Sequence, residues 1–208
     1  MSRGIVVNAV LAVNVAVFLL WQWPGVPVEL MGGHFLVSWE HLAGGRVWVL
    51  VTAVFSHFLF LHLFVNMIVL VSFGPPLEHA MGAGRFLLFY LTAGIVGSLA
   101  HAGVSHFLIE GPGQPALGAS SALAGVLLFY SLAFPRAKVL LFFVIPLPAI
   151  LVALAFVAID IWGLLAQIEG SGLPIGHGAH LGGAFTGIVY FVLRGRRIAR
   201  KGGFARRS

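Results

Sequence analysis

Residues 116–130 read "ALGASSALAGVLLFY". The run is apolar enough to enter a membrane, yet it carries Gly118, Ser120 and Ser121 near one end. A hydroxyl in hydrocarbon is costly unless it finds a hydrogen-bond partner. The serines are therefore either packing residues or members of a site, and the rest of the chain must decide. Of its 208 residues, 60% are hydrophobic and 9% charged, against about 25% charged in soluble domains. Too little polar surface remains for a water-soluble globule. The composition predicts an all-α, polytopic membrane protein. There is no cysteine, which excludes disulfides, thiolate nucleophiles and Cys-bound metal.

A spanning helix needs about 20 mostly apolar residues. Six candidates appear, at roughly 4–21, 47–73, 86–106, 117–134, 139–166 and 179–193, and together they predict a single six-helix membrane domain over 1–208. The breaks carry turn chemistry or charge: "WPGVPVELMGGH", "GPPLEHAMGAGR", "EGPGQP", "PRAK" and "EGSGLPIGHG". The first run exceeds the usual 7–15-residue core of a signal peptide, and no A-x-A-like cleavage site follows, so it is read as a span.

Six spans put both termini on one side. Arg3, Arg85, Arg136, Lys138 and the seven cations of the tail 194–208 fall there, eleven of the twelve basic residues. Cytoplasmic loops are enriched in Lys and Arg, so both termini are expected in the cytoplasm. The tail reads as a juxtamembrane anchor on anionic lipid rather than a nucleic-acid-binding segment. The strong use of Arg over Lys, with much Ala, Gly and Val, is compatible with a bacterial inner membrane.

Most buried polar side chains sit in three spans: His57, His62 and Asn66 in the second, Ser120 and Ser121 in the fourth, His177 and His180 in the sixth. The first charged residue at each cytoplasmic end serves as a ruler. His62 lies 16 residues from Glu78, Ser120 16 from Arg136, and His180 14 from Arg194. At 1.5 Å per residue all three sit about 21–24 Å above the inner boundary. A hydrocarbon core of about 30 Å leaves them some 6–9 Å below the outer face. His62 and Asn66 share a helix face at i, i+4. Small residues flank both key helices: Gly118, Ala122 and Gly125 on one, Gly178, Gly182, Gly183 and Gly187 on the other. Such residues allow close helix approach in lipid.

A serine nucleophile needs a base within hydrogen-bond reach. His180 can take the Ser120 proton and return it to a leaving amine. The oxyanion needs donors, and His62, Asn66 and the Ser120 backbone N–H are available. Asp160 falls near the outer end of span five and is read as a helix-end carboxylate, so the expectation is a Ser–His dyad without a third member. His34, His41, His79, His101 and His106 read as interface or loop residues meeting headgroups or water.

These residues resemble the rhomboid family of intramembrane serine proteases, over about residues 40 to 193. "HFLFLHLFVN" is similar to the family's H-x4-H-x3-N, giving His57, His62 and Asn66. "GASSA" resembles its G-x-S, which makes Ser120 the nucleophile. "GHGAHLGGAFTG" resembles its A-H-x-x-G-x-x-x-G, which makes His180 the base, with Gly183 and Gly187 on the packing face. "PLEHAMG" resembles the end of its second span, where Glu78 is structural, and "SWEHLAGGRVW" fits its membrane-embedded loop. The resemblance implies a six-helix bundle with an outward-opening site. It also implies cleavage of single-pass transmembrane substrates near their outer ends, without metal; no other cofactor is expected, and the position of the basic residues argues against a nucleic-acid partner.

Three positions depart from the family pattern. The family often has Gly after the nucleophile, an aromatic four residues beyond it to pack on the base, and a Trp-Arg pair in the loop. Here those positions hold Ser121, Ala124 and Val49. Two other readings stay open. One is an inactive relative that binds transmembrane clients without cutting them. The other is a metal or proton transporter using His57, His62, His177 and His180. His177 and His180 at i, i+3 can share a metal, but no carboxylate evidently accompanies them and the H-E-x-x-H pattern is absent.

Overall fold

The structure is a computed structural model and describes residues 4–109, 114–141 and 144–195. Glu110 and the tail beyond Gly195 lie outside the described residues. Six longer helices form the bundle. They are α1 (Ile5–Gln22), α5 (Phe60–Met81), α6 (Ala83–Phe107), α7 (Ser120–Ala133), α8 (Ala149–Ile168) and α9 (His177–Tyr190). Three short helices, α2 (Val28–Phe35), α3 (Trp39–Ala43) and α4 (Val49–Thr52), and a 3-10 turn (Ala53–Phe55) fill the connection from α1 to α5. A π-turn, Phe191–Gly195, extends α9.

Among the described residues four helices, α1, α5, α6 and α8, are long and apolar enough to cross a membrane. Leu154, Ile159, Trp162 and Leu165 stand exposed on α8, and Leu19, Phe64 and Leu88 on the other three. Water does not tolerate that much contiguous apolar surface, whereas lipid does. The chain is a helical polytopic membrane protein.

α7 and α9 have 14 residues each, or about 21 Å of helix, short of the roughly 30 Å hydrocarbon core. α7 is wrapped by other helices, while α9 buries one face and exposes Phe185, Ile188 and Val189 on the other. α7 buries nearly every side chain, from Ser121 to Phe129 without a break. Each can begin inside the bilayer because the irregular chain before it packs on protein rather than lipid. The segment before α7 is tied down by paired backbone bonds between Val37 and Ala116 and by Gly118 N–H donating to Ala53 O at 2.9 Å.

Glycine sets the spacing of the central helices. A Cβ at Gly183 of α9 would run into the Ser121 carbonyl of α7, and one at Gly187 would come within 2.5 Å of the Gly125 carbonyl oxygen. On α6, a Cβ at Gly97 would run into the Ser121 side chain and the Ala179 carbonyl of α9. Backbones this close exclude any side chain between them.

Two spans differ from expectation by ten residues or more at their starts, and the others begin within three residues of it. The second was expected over 47–73, but α5 starts at Phe60. The apolar run before it buries Val49 and Ala53 against Ala102 and Val37, so its hydrophobicity serves protein packing rather than lipid. At its other end α5 runs through Pro75 and Pro76 to Met81. Proline costs about 3 kcal/mol in a helix interior, and tertiary packing offsets it here: Gly74 lies against Val7 of α1, and Glu78 holds the start of that helix. The fifth span was expected over 139–166. Instead β1 (Lys138–Leu141) and β2 (Ile145–Pro148) pair antiparallel, Lys138 opposite Pro148, and α8 begins at Ala149. Pro146 and Pro148 forbid an earlier helix and favour extended chain. The first turn of the sixth span begins at His177, two residues before the expected 179.

Candidate active site

Ser120 is the first residue of α7, and the left-handed Gly118 (φ 128°) turns the chain into it. Only glycine adopts that conformation without strain. As the first helical residue, Ser120 has a backbone N–H with no intrahelical acceptor. His180 lies in the first turn of α9, and its N–H donates to Gly176 O at 3.0 Å. The close α7–α9 contact brings the two side chains together, with His180 Nε2 2.9 Å from Ser120 Oγ. Both are part-exposed to a cavity of about 980 Å³.

The other ring nitrogen of His180 is also engaged. Nδ1 lies 2.9 Å from Asp160 Oδ1, and His177 Nδ1 lies 2.7 Å from the same oxygen. With Asp160 as a carboxylate, both rings donate from Nδ1, and His180 keeps its Nε2 lone pair for the Ser120 hydroxyl proton. This corrects two expectations: Asp160 is not an interfacial helix-end group but is 3% exposed, and the His pair does have a carboxylate. The cause is the β-hairpin. Reading 139–148 as helix sets Asp160 too high. Counted from Ala149 it stands 11 residues up α8, about 16 Å. Asp160, His177 and His180 each bring one possible ligand atom within 4.8 Å of the others, a grouping of the kind that holds a divalent ion.

His62 and Asn66 line the same cavity as Ser120 and His180. A Cβ at Gly118 would lie 3.0 Å from His62 Nε2 and 3.7 Å from Ser120 Oγ, so these two groups flank one small space. Asn66 Nδ2 donates to the His62 carbonyl at 2.8 Å, which fixes its amide on the α5 face. His57 is fully buried, and its Nε2 accepts the Ala119 N–H at 3.4 Å, just before Ser120. The His57 and His62 rings meet edge to face at 4.8 Å.

The departures find local answers. Ala124 supplies no ring to the base, but Phe156 of α8 lies against His180 with ring centroids 5.5 Å apart. Val49 is buried in the loop's own small core, and Trp48 stacks on His34 at 5.6 Å. His101 was expected at an interface. It is buried instead, and its Nε2 lies 2.8 Å from the Gln114 carbonyl oxygen, where it helps hold the chain leading into α7. Ser105 accepts the Gln114 N–H at 2.9 Å beside it. Glu78 lies far from this cavity and binds the Val6 and Val7 N–H groups at 3.1 and 2.9 Å.

Residues 44–197 match the Rhomboid domain family. The chain belongs to the rhomboid family. It is 38% identical over 190 residues to Rhomboid protein 1, mitochondrial, of Saccharomyces cerevisiae, covering 88% of this chain and 51% of that protein. It is 33% identical over 200 residues to RHOMBOID-like protein 12, mitochondrial, of Arabidopsis thaliana, covering 90% and 57%. It is 31% identical over 205 residues to Presenilin-associated rhomboid-like protein A, mitochondrial, of Danio rerio, covering 94% and 49%. This rhomboid chain thus spans about half the length of the curated relatives it matches. Those relatives are mitochondrial proteins of eukaryotes, so the expectation of a bacterial inner membrane is not borne out.

Proposed function

We propose that this protein is an intramembrane serine endopeptidase that cleaves transmembrane segments of other membrane proteins. The observation that carries the reading is the 2.9 Å contact between Ser120 Oγ and His180 Nε2, made by two helices inside the bundle. A serine hydroxyl is a weak nucleophile until an adjacent base takes its proton. His180 Nε2 is that base. Ser120 Oγ adds to the scissile carbonyl, and the peptide oxygen takes the negative charge. The space flanked by His62 Nε2, with Asn66 and the Ser120 backbone N–H beside it, receives that oxyanion. His180 then gives its proton to the leaving amine, and water, activated by the same ring, hydrolyses the acyl-enzyme.

Water must reach a site within the membrane. The cavity offers a route, because Ser98, Ser105, Gln114, Gln167 and Ser171 line it together with the apolar Val65, Val69 and Leu127. The apolar lining suits a segment arriving from lipid, and the polar lining suits solvent from the loops. The clients are single-pass membrane proteins, cut near the end of the span opposite the basic face. The enrichment of Lys and Arg in cytoplasmic loops assigns the basic side to the cytoplasm, and this reading has the site open toward the other side.

A second reading has one observation in its favour, the Asp160, His177 and His180 donor set, which suits a cation-handling protein. One experiment separates the readings. Purified protein in detergent is mixed with a membrane-anchored reporter and a serine-directed fluorophosphonate, with and without chelator. The protease reading expects cleavage and Ser120 labelling that survive chelation and vanish in Ser120→Ala. Metal-dependent behaviour indifferent to Ser120→Ala, or client binding with no cutting, overturns it.

A further inference from the structure

We infer that Asp160 is a positioning residue for the base, held in place by His177, so that the nucleophile, the base and the carboxylate act as a relay of three rather than a pair. This rests on the serine protease reading above. α8 presents Phe156, Asp160 and Gly163 at i, i+4 and i+7, one face of a helix. That face grips the first turn of α9. Phe156 lies against the His180 ring, Asp160 accepts from both histidines, and Gly163 leaves room for the His177 ring where a Cβ would overlap it.

A buried carboxylate is expensive unless it is hydrogen-bonded. Asp160 has 3% exposure, and its Oδ2 has no hydrogen-bond partner among the described residues, so Oδ1 carries the compensation through two N–H donors. The start of α9 adds the favourable end of a helix dipole. A carboxylate kept under such conditions for helix packing alone would be better replaced by an apolar side chain. Its chemical effect falls on His180. A neutral imidazole has two tautomers, and only the Nδ1–H form offers an Nε2 lone pair to Ser120. Asp160 selects that form and fixes the plane of the ring. When the ring takes the Ser120 proton, the carboxylate faces the new charge directly. His177 keeps Oδ1 aimed by making the other bond.

The test uses the full chain in detergent micelles with the membrane-anchored reporter. Asp160→Asn can turn an amide N–H toward Nδ1 and so force the wrong tautomer, which costs on the order of 10⁴ in kcat in a Ser-His-Asp triad on an unrelated fold. The expected result is a kcat lower by about 10²–10⁴ with KM unchanged, fluorophosphonate labelling slowed in step, and the melting temperature preserved. Asp160→Glu is expected to regain part of the rate. A wild-type kcat in Asp160→Asn, or a loss confined to KM, overturns the inference. Nitrogen-15 spectra of the imidazoles in the unaltered protein need no variant to fold. They are expected to show His180 protonated on Nδ1 in its neutral form, and an Nε2–H tautomer overturns the inference. Failure of the parent reading looks different: the unaltered protein then neither cuts nor labels, whatever the tautomer.

Discussion

His180 Nε2 lies 2.9 Å from Ser120 Oγ across 60 residues of chain, and the neighbouring hydroxyl of Ser121 takes no part in that contact. Ser121 is buried where α7 meets α6 and α9. The two serines are therefore expected to separate cleanly. Ser120→Ala abolishes cleavage and covalent labelling by a fluorophosphonate, and Ser121→Ala keeps most of both. Mass spectrometry of the labelled peptide checks the assignment, and an adduct on Ser121 would reverse it.

The reach of Ser120 to His180 depends on glycine. At Gly183 any Cβ meets the Ser121 carbonyl, which is backbone and cannot rotate away. Overpacking in a dense interior costs about 1–3 kcal/mol, occasionally more. Gly183→Ala should fall at or beyond the upper end, because relief requires α9 to move off α7. The expected outcome is a lower melting temperature in micelles together with loss of Ser120 labelling. A stable, fully labelled Gly183→Ala would show that the helix spacing does not control the pair.

Much of this was legible in the sequence because lipid imposes simple rules. Apolar length announced most of the spans, and counting residues from the charged ends put His62, Ser120 and His180 in one layer. Small residues at fixed spacing announced the close helices. What stayed hidden followed from the same ruler. The run before α5 is as apolar as lipid-facing helix but serves a small protein core. The 139–148 stretch looks like the start of a span, yet its prolines favour extended chain and it pairs as a hairpin. That error hid Asp160, whose depth could be read only once the true start of α8 was known. A signal was present nonetheless: Asp160 and Gly163 at i, i+3 on one helix, opposite His177 and His180 at i, i+3 on the next.

Glu78 offers a test away from the chemistry. Gly4 precedes α1 and has no side chain to cap it, so the Val6 and Val7 N–H groups turn to Glu78, which is 3% exposed. Hydrogen bonds to a charged group contribute about 1.5–3 kcal/mol each, and leaving buried donors unpaired adds to the loss. Glu78→Ala is expected to destabilise by about 2–4 kcal/mol, and Glu78→Gln by less because one acceptor oxygen remains. Thermal unfolding in micelles reads both. Since α1 does not line the cavity, cleavage well below the transition should stay near wild type; a kcat defect in Glu78→Gln at low temperature would count against a purely structural role.

Gly118 joins fold and chemistry most directly. Its φ of 128° is strained for any other residue, and a Cβ there would stand 2.7 Å from His62 Cε1, so Gly118→Ala must push the His62 ring out of the space beside Ser120. If that ring is an oxyanion donor, His62→Ala lowers kcat by about 10²–10³, the usual cost of losing one such group. Gly118→Ala then does the same through displacement, plus about 1–3 kcal/mol of stability from backbone strain. The double variant decides the matter. Two substitutions that remove one donor cannot remove it twice, so Gly118→Ala with His62→Ala should show little further loss in kcat than either alone. Losses that multiply would mean that Gly118 and His62 act on the reaction by separate routes, and that the oxyanion is held elsewhere.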